Sequence, residues 1–390
     1  MLGVNSPLRR SAIRSRRRRA PWLALLATLV VLLGVPVGFY TSAMLQPSSL
    51  PLSIRSIEWV RGHGFAWLVN DIERWWYTHH KPRRGGPTLT ALPAVGAPRR
   101  VHKVAVAVHW EPAPIVPVIR PRLPGEGRWV PGGVTLGRLS PVLMAVFRPQ
   151  AAYPRLLAYV AWIDHSLTRL ALYPGRYEPP SAAPRGPIQV PFGQRWRLLA
   201  TFNSGFTHKD GHGGFAVNGA TYEPLRAGDA TAIAYSDGRV DVRAWTGGPS
   251  AGSTVMLARQ NLPLLVDRAR PSAALARNWE WGSTLGNAVQ VWRSALGVDS
   301  RGNLIYAAAN YQTAASLAQL MIHVGAVRAM ELDINAEWPT FIAYGRRGGR
   351  DPLKLVPNAQ QSASRYLQPD DRDFFAVYAR AGGGVAVPFR

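Results

Sequence analysis

Residues 313–337 read TAASLAQLMIHVGAVRAMELDINAE, and two periodicities meet within that stretch. Leu317, Leu320, Met321 and Val324 recur at helical spacing, with Thr313 placed to cap the start and Gly325 to stop the end. The spacing therefore predicts a helix over Thr313–Val324. Val327–Asp333 follows as a strand and leaves in a run rich in carboxylates, Glu331, Asp333 and Glu337, with the amide Asn335 among them. On a strand Glu331 and Asp333 share one face, about 7 Å apart from the rise per residue.

Outward from this unit the chain reads as β-structure. Leu156–Ile163, Thr168–Tyr173, Arg197–Phe202, Thr231–Tyr235, Arg239–Trp245, Val289–Leu296 and Asn303–Ala308 carry strand patterns, with Val104–Val108 ahead of them. Ser236-Asp237-Gly238-Arg239 and Ser300-Arg301-Gly302-Asn303 are hairpin turns between alternating segments. With 37 Gly and 33 Pro, the chain suits a turn-rich α+β protein better than a helical bundle. No cysteine occurs, which excludes a disulfide scaffold, a thiol nucleophile, a zinc knuckle and an iron–sulfur site together.

The N-terminus has a different character. Arg9, Arg10, Arg14 and Arg16–Arg19 precede a charge-free apolar stretch over 21–44, long enough for a membrane-spanning helix. Arginines on that side predict a cytoplasmic N-terminus and an extracytoplasmic C-terminal domain at the cell membrane. A cleaved signal peptide and a twin-arginine signal are the rival readings, and both export the domain as well. Ser53–Tyr77 reads as a helix with Ile57, Val60, Trp67, Leu68, Ile72 and Trp75 or Trp76 on its apolar side, weakened midway by Gly62 and Gly64. It either lies at the membrane surface or docks onto the domain. The Pro/Gly-punctuated 79–100 reads as a semi-rigid linker. The expected organisation is a basic cytoplasmic segment at 1–20, an anchor at 21–44, a juxtamembrane helix and linker at 45–100, and an exported domain at 101–385.

The 390-residue chain carries a net charge of +24, with only four Lys among 46 basic residues. Such a field collects anions, and Arg suits phosphate and carboxylate recognition, although GC-rich coding produces the same bias. No nucleic-acid module or aromatic–basic stacking pattern accompanies the charge, so nucleic acid is not among the expected partners.

Four polar segments stand out from the strands: Thr201–Phe206 with His208, Asp210 and His212 behind it, Arg259–Asp267, Arg293–Asp299, and Ala329–Glu337. In this order they resemble the phosphodiester glycosidase family. Asn203–Phe206 resembles its Asn-Gly/Ser-Gly-Phe turn, Arg293–Gly297 its Arg-Thr/Ser-Ala-Ile/Leu-Gly strand, and Ala314–Asp333 its helix followed by a strand ending in Leu-Asp. The likeness covers roughly Leu198 to Ala379, the motif-bearing core of the domain. Pro124–Trp129 looks like actinobacterial members. One departure is visible: where the family has a Gly-Gly-Gly-Ser-Ser type loop, this chain has Ile334-Asn335-Ala336-Glu337-Trp338, which predicts a narrower or reshaped pocket.

The resemblance implies hydrolysis of a sugar-1-phosphodiester, with an anionic sugar phosphate or cell-wall polymer as substrate. It makes Asp333 the general base or nucleophile and Glu331 or Glu337 its carboxyl partner. The alternatives are a turn-capping role for Asp333 and an ion pair between Glu331 and Arg328. Arg293 would grip the phosphodiester through two parallel hydrogen bonds, unless it is an ordinary exposed strand arginine. Asn203 would bind sugar hydroxyls or hold its turn; Asn335, His208 and Asp210 would line the cleft. Trp279, Trp281 and Trp338 are the candidates to stack on a sugar ring, Trp338 first, against the commoner use of Trp as core filler, while Asn287 and Trp292 read as structural. No cofactor is called for, a divalent metal at His208, Asp210 and His212 being weighed against a solvated loop. A non-catalytic protein binding polyanion or polysaccharide on the same fold is the alternative function.

Overall fold

The computed structural model describes residues 35–97, 109–181, 183, 185–211, 213–277, 281–282, 290–358 and 360–380. Residues 1–34, Val104–Val108, His212, Trp279 and Asn287 lie outside them, so most of the expected anchor does too. Among the described residues, 35–45 are helical, and no helix is long and apolar enough to cross a membrane.

Three antiparallel sheets make the domain, with few helices. The largest orders its strands Val130–Pro131, Val142–Phe147, Ala158–Ile163, Leu304–Gln312, Val291–Val298, Arg328–Ile334, Leu264–Asp267 and Arg270–Pro271. Both its faces are covered. Alternate residues such as Leu296, Tyr306, Met330 and Leu332 join the central core, while Ala295, Ile305, Ala307 and Ala329 pack under the helix Ala314–His323. A strand buried on both faces loses polar/apolar alternation and reads as a continuous apolar run. That is why Val142–Phe147, buried at every position, escaped the strand reading.

The second sheet orders Ala220–Glu223, Phe215–Val217, Val255–Gln260, Ala230–Tyr235 and Val240–Ala244; the third orders Arg350–Lys354, Phe341–Arg346, Leu198–Asn203, Phe374–Ala379 and Thr168–Tyr173. Both predicted hairpins form. In the first, the Asp237 side chain accepts the backbone N–H of Arg239 and Gly238 adopts φ +86°, the conformation the turn requires. Leu198–Asn203 ends directly beside the end of Arg328–Ile334, where the Asp333 N–H donates to the Ser204 carbonyl at 3.1 Å. This crossing of two sheets brings the Asn203 turn and the carboxylate run together.

The N-terminal helix forms as two: Leu52–Val60 and Ala66–His79, joined by Arg61–Phe65 with His63 and Gly64 out of helical geometry. The break falls between the two glycines that weaken the pattern. It docks, but through the face opposite to the apolar one. Ile54, Arg55 and Val69 are buried, whereas Ile57, Trp67, Leu68, Ile72, Trp75 and Trp76 face outward. The following segment also packs rather than bridging space: Leu92 and Val95 lie against the core, and Ala97 pairs with Pro131.

Thr313 caps its helix in a reciprocal box with Ser316, each side chain bonding the other's backbone N–H at 2.9 Å. Thr313→Ala should lower unfolding stability by about 1 kcal/mol, read from the urea midpoint with an unchanged slope.

Candidate active site

Asp333 is the last acid of its strand and is 8% exposed. Its Oδ1 accepts the Ile334 N–H at 3.0 Å, and its Oδ2 accepts Nη2 of Arg372 at 2.6 Å. Burial pushes the Asp333 carboxyl from its ordinary 3.8 up to about 7, against the pull of the Arg372 guanidinium. A carboxyl there is part ionised at neutral pH and able to take up a proton.

Arg372 comes from Asp370-Asp371-Arg372-Asp373, just ahead of the strand Phe374–Ala379. Its guanidinium lies 4.5 Å from the ring centre of Trp338 and gives a second hydrogen bond to the Gly205 carbonyl. Its Nε has no hydrogen-bond partner among the described residues, although the residue is only 8% exposed. Arg372 lines a cavity of about 470 Å³, together with Glu178, Thr207, Trp338 and Asp371 from the domain.

Glu178 reaches this cavity because its loop is laid against the Arg372 loop. Arg176 and Tyr177 donate their N–H groups to the Asp370 and Asp371 carbonyls, and Gly175 sits so close that a Cβ would meet the Arg372 carbonyl carbon at 2.4 Å. Its Oε2 accepts the His208 N–H at 2.9 Å, and burial raises the Glu178 carboxyl above its ordinary value. Arg372 and Glu178 thus line the cavity as a guanidinium and a carboxyl raised by burial, with Asp333 bonded to Arg372 but not itself among the lining residues.

The remaining sequence candidates take other places. Arg293 is not the open guanidinium. It is buried, and donates through Nη1 to Glu331 at 2.5 Å, through Nε to the Gln312 carbonyl and through Nη2 to the Trp281 carbonyl. Glu331 therefore pairs with Arg293, across the strand register that sets Ala295 opposite it, while Arg328 pairs with Asp241. The two acids of one strand are held by different arginines.

Asn203 holds the turn. Its amide donates to Ser204 and Ser294 and accepts from the Tyr306 hydroxyl and the Thr340 N–H. Asn335 adopts φ +82°, a left-handed conformation, and is engaged by the N-terminal helices: the Tyr77 hydroxyl donates to it and it donates to Glu73. Glu337, raised by burial, lies in that same loop. Trp338 packs with Leu50 and Ile54 and carries the Arg372 guanidinium on its face. His208 contacts Glu223 and the Gly213 carbonyl; Asp210 is exposed and bonds the Thr207 hydroxyl.

Arg372 and Glu178 escaped the sequence reading. An arginine set within three aspartates is the signal for the first. The second sits in a Pro-rich connection that reads as a spacer, and only the tertiary packing of that loop gives it a role.

Arg293→Met should leave Glu331 as an uncompensated buried charge and cost about 3–5 kcal/mol of stability. Urea unfolding would show this as a lowered midpoint, whereas Arg372→Met should lose ligand binding at a smaller stability cost.

Residues 197–333 match the sequence model of the family described as phosphodiester glycosidase. No curated protein matches significantly. Among solved structures, the chain is similar to the catalytic domain of zebrafish N-acetylglucosamine-1-phosphodiester alpha-N-acetylglucosaminidase, auto-inhibited by its pro-peptide, at 15% identity and a TM-score of 0.43 over 62% of this chain and 84% of that one. It is also similar to a hypothetical protein from Synechocystis, at 15% identity and 0.35 over 62% of this chain and 63% of that one. A third similar structure is an exported protein from Burkholderia pseudomallei, at 11% identity and 0.28 over 58% and 75%. Residues 197–333 are thus similar to the phosphodiester glycosidase family, a match that ends on Asp333.

Proposed function

We propose that this chain is a membrane-anchored, extracytoplasmic hydrolase cleaving the bond between a sugar's anomeric carbon and phosphate in an envelope glycopolymer or glycoconjugate. The observation that carries the reading is the Arg372 guanidinium: one edge holds Asp333, the residue lines a cavity, and its buried Nε has no hydrogen-bond partner among the described residues. The family match supports the reaction class. The basic segment and the charge-free stretch over 21–44 support the anchoring.

In this reading a phosphoryl oxygen of the diester bonds the Arg372 guanidinium, a charge-assisted bond of the stronger kind. The anomeric carbon then lies toward Asp333, whose carboxylate takes a proton from the attacking water, or attacks the carbon to form a glycosyl ester that water then hydrolyses, releasing the sugar and restoring the carboxylate. The bond from the anomeric carbon to the phosphate oxygen breaks, and the departing phosphate's charge falls on Arg372. Glu178, biased toward its acid form, supplies a proton to that oxygen where the leaving group needs one.

A non-catalytic role in binding polyanions or polysaccharides is the second reading. It is favoured by the shielding of Asp333 and by the docking of the N-terminal helices on the loop that follows it. Binding of wall polymer without turnover of any diester would select it.

Asp333→Asn should lower kcat/KM toward a synthetic glycosyl-1-phosphodiester by about 10²–10⁴-fold with the fold kept. Activity equal to the parent would remove Asp333 from the chemistry. Because the ionised form acts, activity should rise with pH through about 7. Stability should move the other way. The folded state retains a proton that the unfolded chain releases from about pH 4 upward, so this group's contribution is complete in acid and is lost as pH rises through about 7. Urea unfolding of parent and Asp333→Asn across that range should show a steeper slope in the parent, the remainder coming from the other buried carboxyls raised by burial.

A further inference from the structure

The cavity beside Arg372 has two unlike walls. The domain supplies Arg372, Glu178 and Asp371; the N-terminal segment supplies Phe39, Ala43, Met44, Leu50 and Trp59. The acids on the polar side already have partners. Asp371 is held by Arg176 at 3.0 Å and by Ser48, Glu58 by Arg61 at 3.1 Å, and Glu178 by the His208 N–H. The arginines that line it, Arg372 with a buried Nε that has no hydrogen-bond partner among the described residues and Arg55 beside it, therefore set the ligand charge at that end, and they ask for an anion. The other end asks for hydrocarbon.

That apolar wall is no detached flap. Ser48 and Ser49 bond Asp371 and Asp370, Arg55 donates to the Met44 carbonyl, and Ile54 is buried against Trp338. Phe39 and Met44 belong to 35–45, the helical end of the charge-free sequence over 21–44. The wall thus continues directly into the segment proposed as the anchor. Beside it the Ala66–His79 helix turns Trp67, Leu68, Ile72, Trp75 and Trp76 outward, with Trp67 61% exposed. Tryptophans with their polar edge free are the residues that settle at a bilayer–water boundary, and Arg74, Lys81, Arg83 and Arg84 lie next to them in the chain, where an anionic surface would attract them.

We infer that the ligand of this cavity is amphiphilic, a glycosyl phosphodiester whose second ester is a long-chain lipid alcohol, with its phosphate at Arg372 and its chain along Phe39, Met44 and Trp59 toward the bilayer. The inference rests on the hydrolase reading for the reaction, and on the cavity's two walls for the lipid. About 470 Å³ suits a sugar phosphate with the first part of a chain. The rest of the chain need never leave the membrane, since the apolar wall leads back to it.

The test uses the full chain in detergent micelles at a fixed surface concentration. Glycosyl-1-phosphate diesters of methanol and of a C16 alcohol serve as probes, with C16 alkyl phosphate as a binding probe followed by tryptophan fluorescence. The parent should hydrolyse the long-chain diester with kcat/KM at least tenfold above the methyl diester. It should also bind the alkyl phosphate at least tenfold more tightly than methyl phosphate. In Phe39→Asp, whose site is exposed, and in Met44→Asp, both ratios should fall toward one while the thermal transition stays with the parent's. Equal use and equal binding of short and long chains by the parent overturns the lipid inference and leaves the hydrolase reading standing. Chain-length-dependent binding, abolished by the two variants but without hydrolysis of either diester, overturns the hydrolase reading and leaves the lipid assignment standing. Ratios unchanged in both variants place the chain effect in the micelle and overturn the inference.

Discussion

The arrangement depends on one guanidinium placed between two demands. Arg372 holds the carboxylate of Asp333 at 2.6 Å, rests on the face of Trp338, and has a buried Nε with no hydrogen-bond partner among the described residues. In a desolvated setting an isolated Asp would simply stay protonated; the arginine restrains that rise and leaves the group near 7. Arg372 is held in turn by its loop, where Asp370 accepts the Arg372 N–H and is itself clasped by Arg365. The site is built from the domain's structural ion pairs with one donor left over.

The loop after Asp333 explains why the N-terminal helices belong to the site. Within the loop Ile334–Trp338, Asn335, Ala336 and Trp338 meet the N-terminal segment or the arginine. Asn335 takes the left-handed conformation and bonds Tyr77 and Glu73; Trp338 packs on Leu50 and Ile54 and supports Arg372. The departure from the family pattern is matched by a partner within the same chain. It exchanges an open backbone for a side-chain surface on which a helix pair is seated.

Much of the scaffold was legible. Thr168–Tyr173 was read to the residue and Ala314–His323 nearly so, because a strand bounded by turns and a capped amphipathic helix carry local signals. Val142–Phe147 and Phe374–Ala379 carry none, since strands buried on both sides show no alternation. At the site, it is the resemblance to the family's Leu-Asp that singles out Asp333, since its place at a strand end alone fits a turn-capping acid equally well. Arg293 was misplaced, because a strand arginine facing an acid across the register looks the same in sequence as one facing a ligand. Glu178 was invisible: its significance comes from a loop-to-loop contact that no local pattern encodes. The outward tryptophans were grouped correctly as one face, but which face docks was decided by Tyr77, Glu73 and Val69 on the other.

The most direct measurement is a crystal structure of the chain with a non-hydrolysable glycosyl phosphonate. The account predicts phosphonate oxygens within hydrogen-bond distance of the Arg372 guanidinium and the anomeric carbon beside the Asp333 carboxylate. A phosphonate bound elsewhere, or bound at Arg372 with its sugar turned away from Asp333, would contradict it.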